Sequence, residues 1–150
     1  MSRTEIFNTT LKWTGEHRGY IVMGNGPEME FSAPPNSQGH AGVLTPEDAF
    51  VAAANSCIML MFIWAVERFK LNLLSYECRA EGTKLIELDR TEIFTELRLL
   101  PVIKVSANGQ DPEVVRARVL RALKSAEKYS LIANSVKSEV IIEPDVEIVE

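Results

Sequence analysis

The sequence predicts an α+β domain in which antiparallel sheet surrounds one central apolar helix. Three observations predict it. Residues 49–66 carry almost no polar side chain, Asn55 and Ser56 excepted. Short stretches with period-two alternation stand before and after that run. A second helix signal, Asp111-Pro112-Glu113, falls between the later strands. Strands, helix, strands, helix, strands is the order of an α+β fold. At 150 residues the chain is long enough for one domain, 1–150, with an adequate core.

The N-terminal part reads as a meander. Residues 4–13 mix Thr, Ile, Phe, Leu and Trp and form a first strand. Residues 14–19, with two glycines, form a turn. Residues 20–23 form a second strand, 24–27 a tight turn and 28–31 a third strand. Residues 33–44 are a Gly/Pro-rich loop that leads into the helix, of a length that often borders a site. His40 in that loop has no neighbour in sequence that would orient it as a base.

The central helix opens with Thr45-Pro46-Glu47-Asp48. Threonine caps, proline suits the first helical position, and two acids sit at the positive end of the dipole. A helix apolar on all sides is a core helix or a membrane span. Polar residues near its middle and alanines in its first half argue for the core. One small sheet cannot cover such a helix, so a tight homodimer is expected.

Asn55-Ser56 decides what Cys57 can do. In a straight helix Glu47 and Cys57 would stand about 15 Å apart along the axis and could not share a site. Asn and Ser are also good caps. A break there would start a second helix at Cys57 and lower its thiol pKa through the dipole. On residue chemistry alone Cys57 reads first as a small apolar filler, with the break as the other reading.

After the helix, residues 74–81 alternate as a half-buried strand. Leu74, Tyr76, Cys78 and Ala80 point inward, so Cys78 reads as structural. A partner strand spans 90–103, with a turn near 85–89 that lacks a Gly or Pro signal. Asn108-Gly109 is a turn. A helix follows from Asp111 to about Tyr129, with Val115, Val119, Ala122 and Ala126 on one face. Its Arg116, Arg118, Arg121, Lys124 and Lys128 read as a solvated surface. Residues 130–134 leave the helix. Two closing strands, 136–142 and 146–149, are divided by Pro144.

Composition excludes several classes. With 16 basic and 21 acidic residues the net charge is −5, which argues against a nucleic-acid partner. No secretory leader and no membrane span are expected. Two cysteines without metal-site spacing suggest a reducing, cytoplasmic setting. His17 and His40 are too scattered to build a metal site with Cys57 and Cys78, so no metal and no cofactor are expected.

Thr45-Pro46-Glu47-Asp48, followed by Ala52-Ala53-Ala54-Asn55-Ser56-Cys57, resembles the signature of the OsmC/Ohr family of thiol-dependent peroxidases. Trp13-Thr14-Gly15 is similar to that family's opening strand. Ala126-Glu127-Lys128-Tyr129-Ser130-Leu131-Ile132 resembles its second motif. The resemblance covers the chain from about Trp13 to the last strand. It implies an OsmC-like fold, an intertwined homodimer and a site where subunits meet. It further implies Cys57 as nucleophile, with Glu47 and an arginine, nearest Arg18, holding the thiolate. Phe50 and Ser130 would line the substrate pocket. One departure matters. Ser130 stands where the family carries its resolving cysteine, so the two-cysteine cycle is not available.

The function expected is reduction of organic hydroperoxides by Cys57, regenerated by an external thiol. The alternative is a non-catalytic OsmC-like protein that holds a small apolar ligand at the dimer cleft. A purely structural dimer is the third reading.

Overall fold

A computed structural model describes residues Met1–Glu150. It divides into two compact units, Met1–Phe50 and Val51–Glu150. The first unit is a three-stranded antiparallel meander. Strand β1 spans Thr9–Gly15, β2 Arg18–Met23 and β3 Glu28–Ser32. The first strand begins later than its composition predicts, because residues 1–8 take no strand pairing. The β1–β2 turn is shorter than predicted. Gly15 ends β1 at φ 122° and the chain reverses in two turn residues, Glu16 (φ 49°) and His17, so Arg18 opens strand β2 instead of lying in a turn. Gly19 faces Phe31 across β2 and β3. A Cβ at Gly19 would lie 2.5 Å from the Phe31 ring, so only glycine lets that ring cross the strand.

Helix α1 runs Pro46–Arg68, starting in the first unit and continuing into the second. Its start is as predicted: Thr45 Oγ1 accepts from the Asp48 N–H at 3.0 Å. Its middle is not. The helix continues without interruption through Asn55 and Ser56. Both polar side chains are satisfied without capping. Asn55 Nδ2 donates to the Cys78 carbonyl at 3.1 Å, and Ser56 Oγ donates back to Ala52 O at 2.8 Å. A serine bonded to the carbonyl four residues earlier is compatible with continuous helix. The expected cover on every side is also absent within one chain. Ala54, Ile58, Phe62, Ala65 and Val66 are buried, whereas Leu60 and Trp64 are exposed.

The second unit is built on a long hairpin. Strand β4 (Asn72–Ile86) pairs antiparallel with β5 (Glu92–Ser106). A bulge between Leu73 and Ser75 shifts the alternation, so Leu74 is exposed where an inward position was predicted. Tyr76, Cys78 and Ala80 do face inward. The hairpin turn, without Gly or Pro, is set by Asp89. Its Oδ1 accepts from both the N–H and the hydroxyl of Thr91, while Arg90 adopts φ 73°.

Helix α2 (Pro112–Tyr129) is capped by Asp111, which accepts from the Glu113 N–H at 3.0 Å. Helix α3 covers Leu131–Ser135. The closing strands β6 (Glu139–Ile142) and β7 (Asp145–Val149) pair with β5 in parallel, so this sheet is mixed instead of wholly antiparallel. They occupy successive stretches of the same edge, β6 beside Glu96–Leu99 and β7 beside Val102–Ser106. Pro101, which cannot donate a ladder bond, falls where the partner changes.

The core joins α1, β5 and α2. Phe62, Ala65 and Val66 cluster with Ile103 and Val105 and with Val115, Val119, Ala122, Leu123 and Ala126. By length and composition α1 could cross a bilayer, but its buried stripe is that of a core helix. On α2 the predicted apolar face is the buried one. Its basic residues are not all solvated. Arg116 donates to the Val146 carbonyl and Arg118 to the Phe69 carbonyl, tying α2 to β7 and to the end of α1.

Candidate functional site

Cys57 lies in the middle of α1, half-buried, as a free thiol. The unbroken helix removes the predicted dipole effect, since Cys57 is eleven residues past Pro46 and far from either helix end. It also keeps Glu47 about 15 Å from Cys57 along the axis. The acid and the sulfur of one chain therefore do not meet.

What does meet the sulfur is Ser130. Its Oγ donates to Cys57 Sγ at 3.2 Å. Ser130 is fully buried, and its position is over-determined. It ends α2, its N–H bonding Glu127 O, and it caps α3, its Oγ accepting from the Ala133 N–H at 3.2 Å. The bond from Ala133 occupies a lone pair of the oxygen and leaves the hydroxyl proton for the sulfur. The role expected of Ser130 is to line a substrate pocket; the structure shows a direct contact with the thiol. The signal was present in the sequence. A serine just past a helix end, followed by Leu131-Ile132-Ala133, reads as the cap of another helical turn.

The remaining candidates lie in the first unit. Glu47 lies in the first turn of α1 with Oε1 buried and without a hydrogen-bond partner. Arg18 begins β2, half-buried, and forms no ion pair with Glu47. Phe50 is half-buried in α1. His40 does have an orienting neighbour: its Nε2 lies 3.1 Å from Glu16 Oε2, across the meander's loop. No group of three His, Cys, Asp or Glu side chains is placed to hold a metal.

Cys78 has a different environment. Burial pushes its thiol pKa up, against a smaller lowering by the neighbouring Tyr76 hydroxyl. Burial likewise raises Tyr76, whose ring packs 5.5 Å from that of Phe62. Cys78 is half-buried, and a thiol raised by burial is a weaker nucleophile near neutral pH.

The motifs that include Cys57 and Ser130 fall within residues 39–145, which match the family model described as OsmC-like protein. The chain belongs to the OsmC-like family. The match begins at Gly39, so Trp13-Thr14-Gly15 lies outside it. No curated protein matches the chain. Solved structures extend the likeness of fold over nearly the whole length. An OsmC-like protein of unknown function from Vibrio cholerae superposes with a TM-score of 0.84 at 22% identity, covering 94% of this chain and 99% of its own. An organic hydroperoxide resistance protein from Elizabethkingia anophelis gives 0.72 at 17%, covering 98% and 99%. The organic hydroperoxide resistance protein OhrB of Bacillus subtilis gives 0.61 at 13%, covering 95% and 98%. The OsmC-like fold thus spans the meander as well as the matched residues.

Proposed function

We propose that this OsmC-like protein reduces organic hydroperoxides through Cys57, with an external thiol restoring it. The observation that carries the reading is the 3.2 Å bond from the buried Ser130 hydroxyl to Cys57 Sγ. The bond fixes the sulfur in place, and the thiolate form of a cysteine is the nucleophile. Family membership and fold neighbours that bear the name organic hydroperoxide resistance support a peroxide-related role.

The thiolate attacks the distal peroxide oxygen. The O–O bond breaks, the alkoxide leaves and takes up a proton as alcohol, and Cys57 becomes sulfenic acid. Ser130 has no sulfur with which to close a disulfide. A small external thiol condenses with the sulfenic acid, releasing water and leaving a mixed disulfide. A second thiol frees Cys57 and departs as a disulfide. The two free cysteines accord with a reducing, cytoplasmic setting.

Glu47 and Arg18 enter this reading through a second copy of the chain. A homodimer would cover the exposed Trp13, Leu60 and Trp64, and would bring Glu47 and Arg18 of the second copy to the sulfur. Phe50 would line the pocket. The unbroken α1 favours the other reading, a non-catalytic protein that holds a small apolar ligand at the dimer cleft, because it denies Cys57 the dipole.

Cumene hydroperoxide with a sulfenic-acid trap separates the two. Mass analysis should find the label on Cys57, absent from Cys78 and abolished in Cys57→Ser. An unlabelled Cys57 at complete peroxide exposure would leave the binding and the purely structural readings.

A further inference from the structure

A charged cluster lies at the C-terminal ends of α1 and α2. Arg68 closes α1, and Lys124, Ser125, Lys128 and Tyr129 lie near the end of α2. The α2 residues form two adjacent i,i+4 rows, Lys124 with Lys128 and Ser125 with Tyr129, so they share one face. Arg68 joins them through Nη2, which donates to Ser125 Oγ at 2.6 Å. The five side chains line one cleft of about 550 Å³.

The cleft is cationic and uncompensated. Arg68, Lys124 and Lys128 form no ion pair, although acids outnumber bases 21 to 16 and six other basic side chains of Lys and Arg are paired. Two of the three are nonetheless held in place. The Arg68 guanidinium lies 5.3 Å from the centre of the Phe69 ring, and the Lys128 ammonium 5.2 Å from that of Tyr129. Cations already positioned lose less freedom when a ligand arrives.

Helix dipoles give the ordinary explanation for cations at these places, since Arg68 and Lys128 stand in the last turns of α1 and α2. Each helix end carries only about half a negative charge. Two ends together offset about one cation of three, leaving a surplus of about two. A carboxylate would cancel half of that surplus. A phosphate monoester, at about −1.5 to −2 near neutral pH, would cancel nearly all of it. The planar guanidinium fork suits phosphate oxygens. The cleft is larger than a phosphate group, and the exposed Tyr129 ring offers a face for an organic part.

The geometry points to a binding site for a phosphorylated small molecule in this cleft, its phosphate on Arg68, Lys124 and Lys128 and its organic part against Tyr129. The site is independent of the thiol chemistry proposed for Cys57.

Phenyl phosphate, titrated calorimetrically into the full chain at fixed ionic strength, tests it. Binding should saturate at one molecule per chain and exceed that of benzoate about tenfold. Arg68→Gln and Lys128→Gln should each weaken it about tenfold, one charge-assisted contact's worth, with the helical circular dichroism unchanged. Affinity should fall as pH drops from about 7.5 to about 6, where the phosphate gains its second proton. Equal affinity for benzoate, or affinity unchanged in both variants, overturns the site. Inorganic phosphate binding as tightly as phenyl phosphate overturns the role given to Tyr129.

Discussion

Replacing Ser130 with cysteine should give this chain a disulfide that its sequence lacks. Ser130 Oγ and Cys57 Sγ are 3.2 Å apart and 73 positions apart in sequence. A sulfur at position 130 starts within about 1.2 Å of bonding distance, since a disulfide measures about 2.05 Å. Closing a loop of that length lowers the entropy of the unfolded chain enough to stabilise the oxidised variant by about 4 kcal/mol. For a chain of this size the melting temperature should rise on the order of 10 °C. One equivalent of diamide serves as oxidant, so the result does not depend on Cys57 reacting with peroxide. Mass spectrometry should show the loss of two hydrogens and a linked peptide pair holding residues 57 and 130, with Cys78 still free. The melting curve should return to its starting point on reduction. Three unpaired thiols after oxidation, or a bridge to Cys78, would refute the placement of α1 against the α2–α3 junction.

Three further outcomes follow from the same coordinates. Cys78, its thiol raised by burial, should react with iodoacetamide at pH 8 more slowly in the native protein than in urea; equal rates would count against that burial. Asp89 is held below the ordinary carboxylate range by the hydroxyl and N–H of Thr91. Its unfolded form therefore binds a proton more readily, so its stabilising contribution is complete above about pH 4 and is lost as pH falls through the folded value. Urea midpoints of wild type and Asp89→Asn should converge in that acid range, and a gap that stays constant with pH would count against the turn. Leu99→Ala should cost about 2–5 kcal/mol by urea unfolding, because Leu99 is fully buried on the strand that both sheet edges share. A loss under about 1 kcal/mol would mean that β5 is not the core strand.

Much of the fold was legible because local rules and tertiary packing agree. Thr45 and Asp111 cap where a cap–proline–acid pattern says they should, and the predicted α2 face is the buried one. Misreadings occur where a rule about pattern meets a rule about geometry. The alternation of β4 predicts Leu74 inward, and a bulge beside it turns it out. The β4–β5 turn showed no glycine or proline because Asp89 performs their role through its side chain. The direction of β6 and β7 is not written in their apolar pattern, which is the same for parallel and antiparallel pairing at short length.

The site was harder to read for one physical reason. Asn and Ser favour caps when the backbone donors of a helix start need a partner, yet both can be satisfied inside a helix when something else accepts their protons. Here the Cys78 carbonyl takes the proton of Asn55 and the Ala52 carbonyl that of Ser56, so no break is needed. The acceptor on β4 is 23 positions away, beyond any local pattern. The sulfur then depends on a partner from elsewhere in the chain, and Ser130 supplies it because the α2–α3 junction fixes both its oxygen and its proton. The setting of Cys57 in this fold thus rests on a tertiary hydrogen bond, where the sequence alone pointed to a helix dipole.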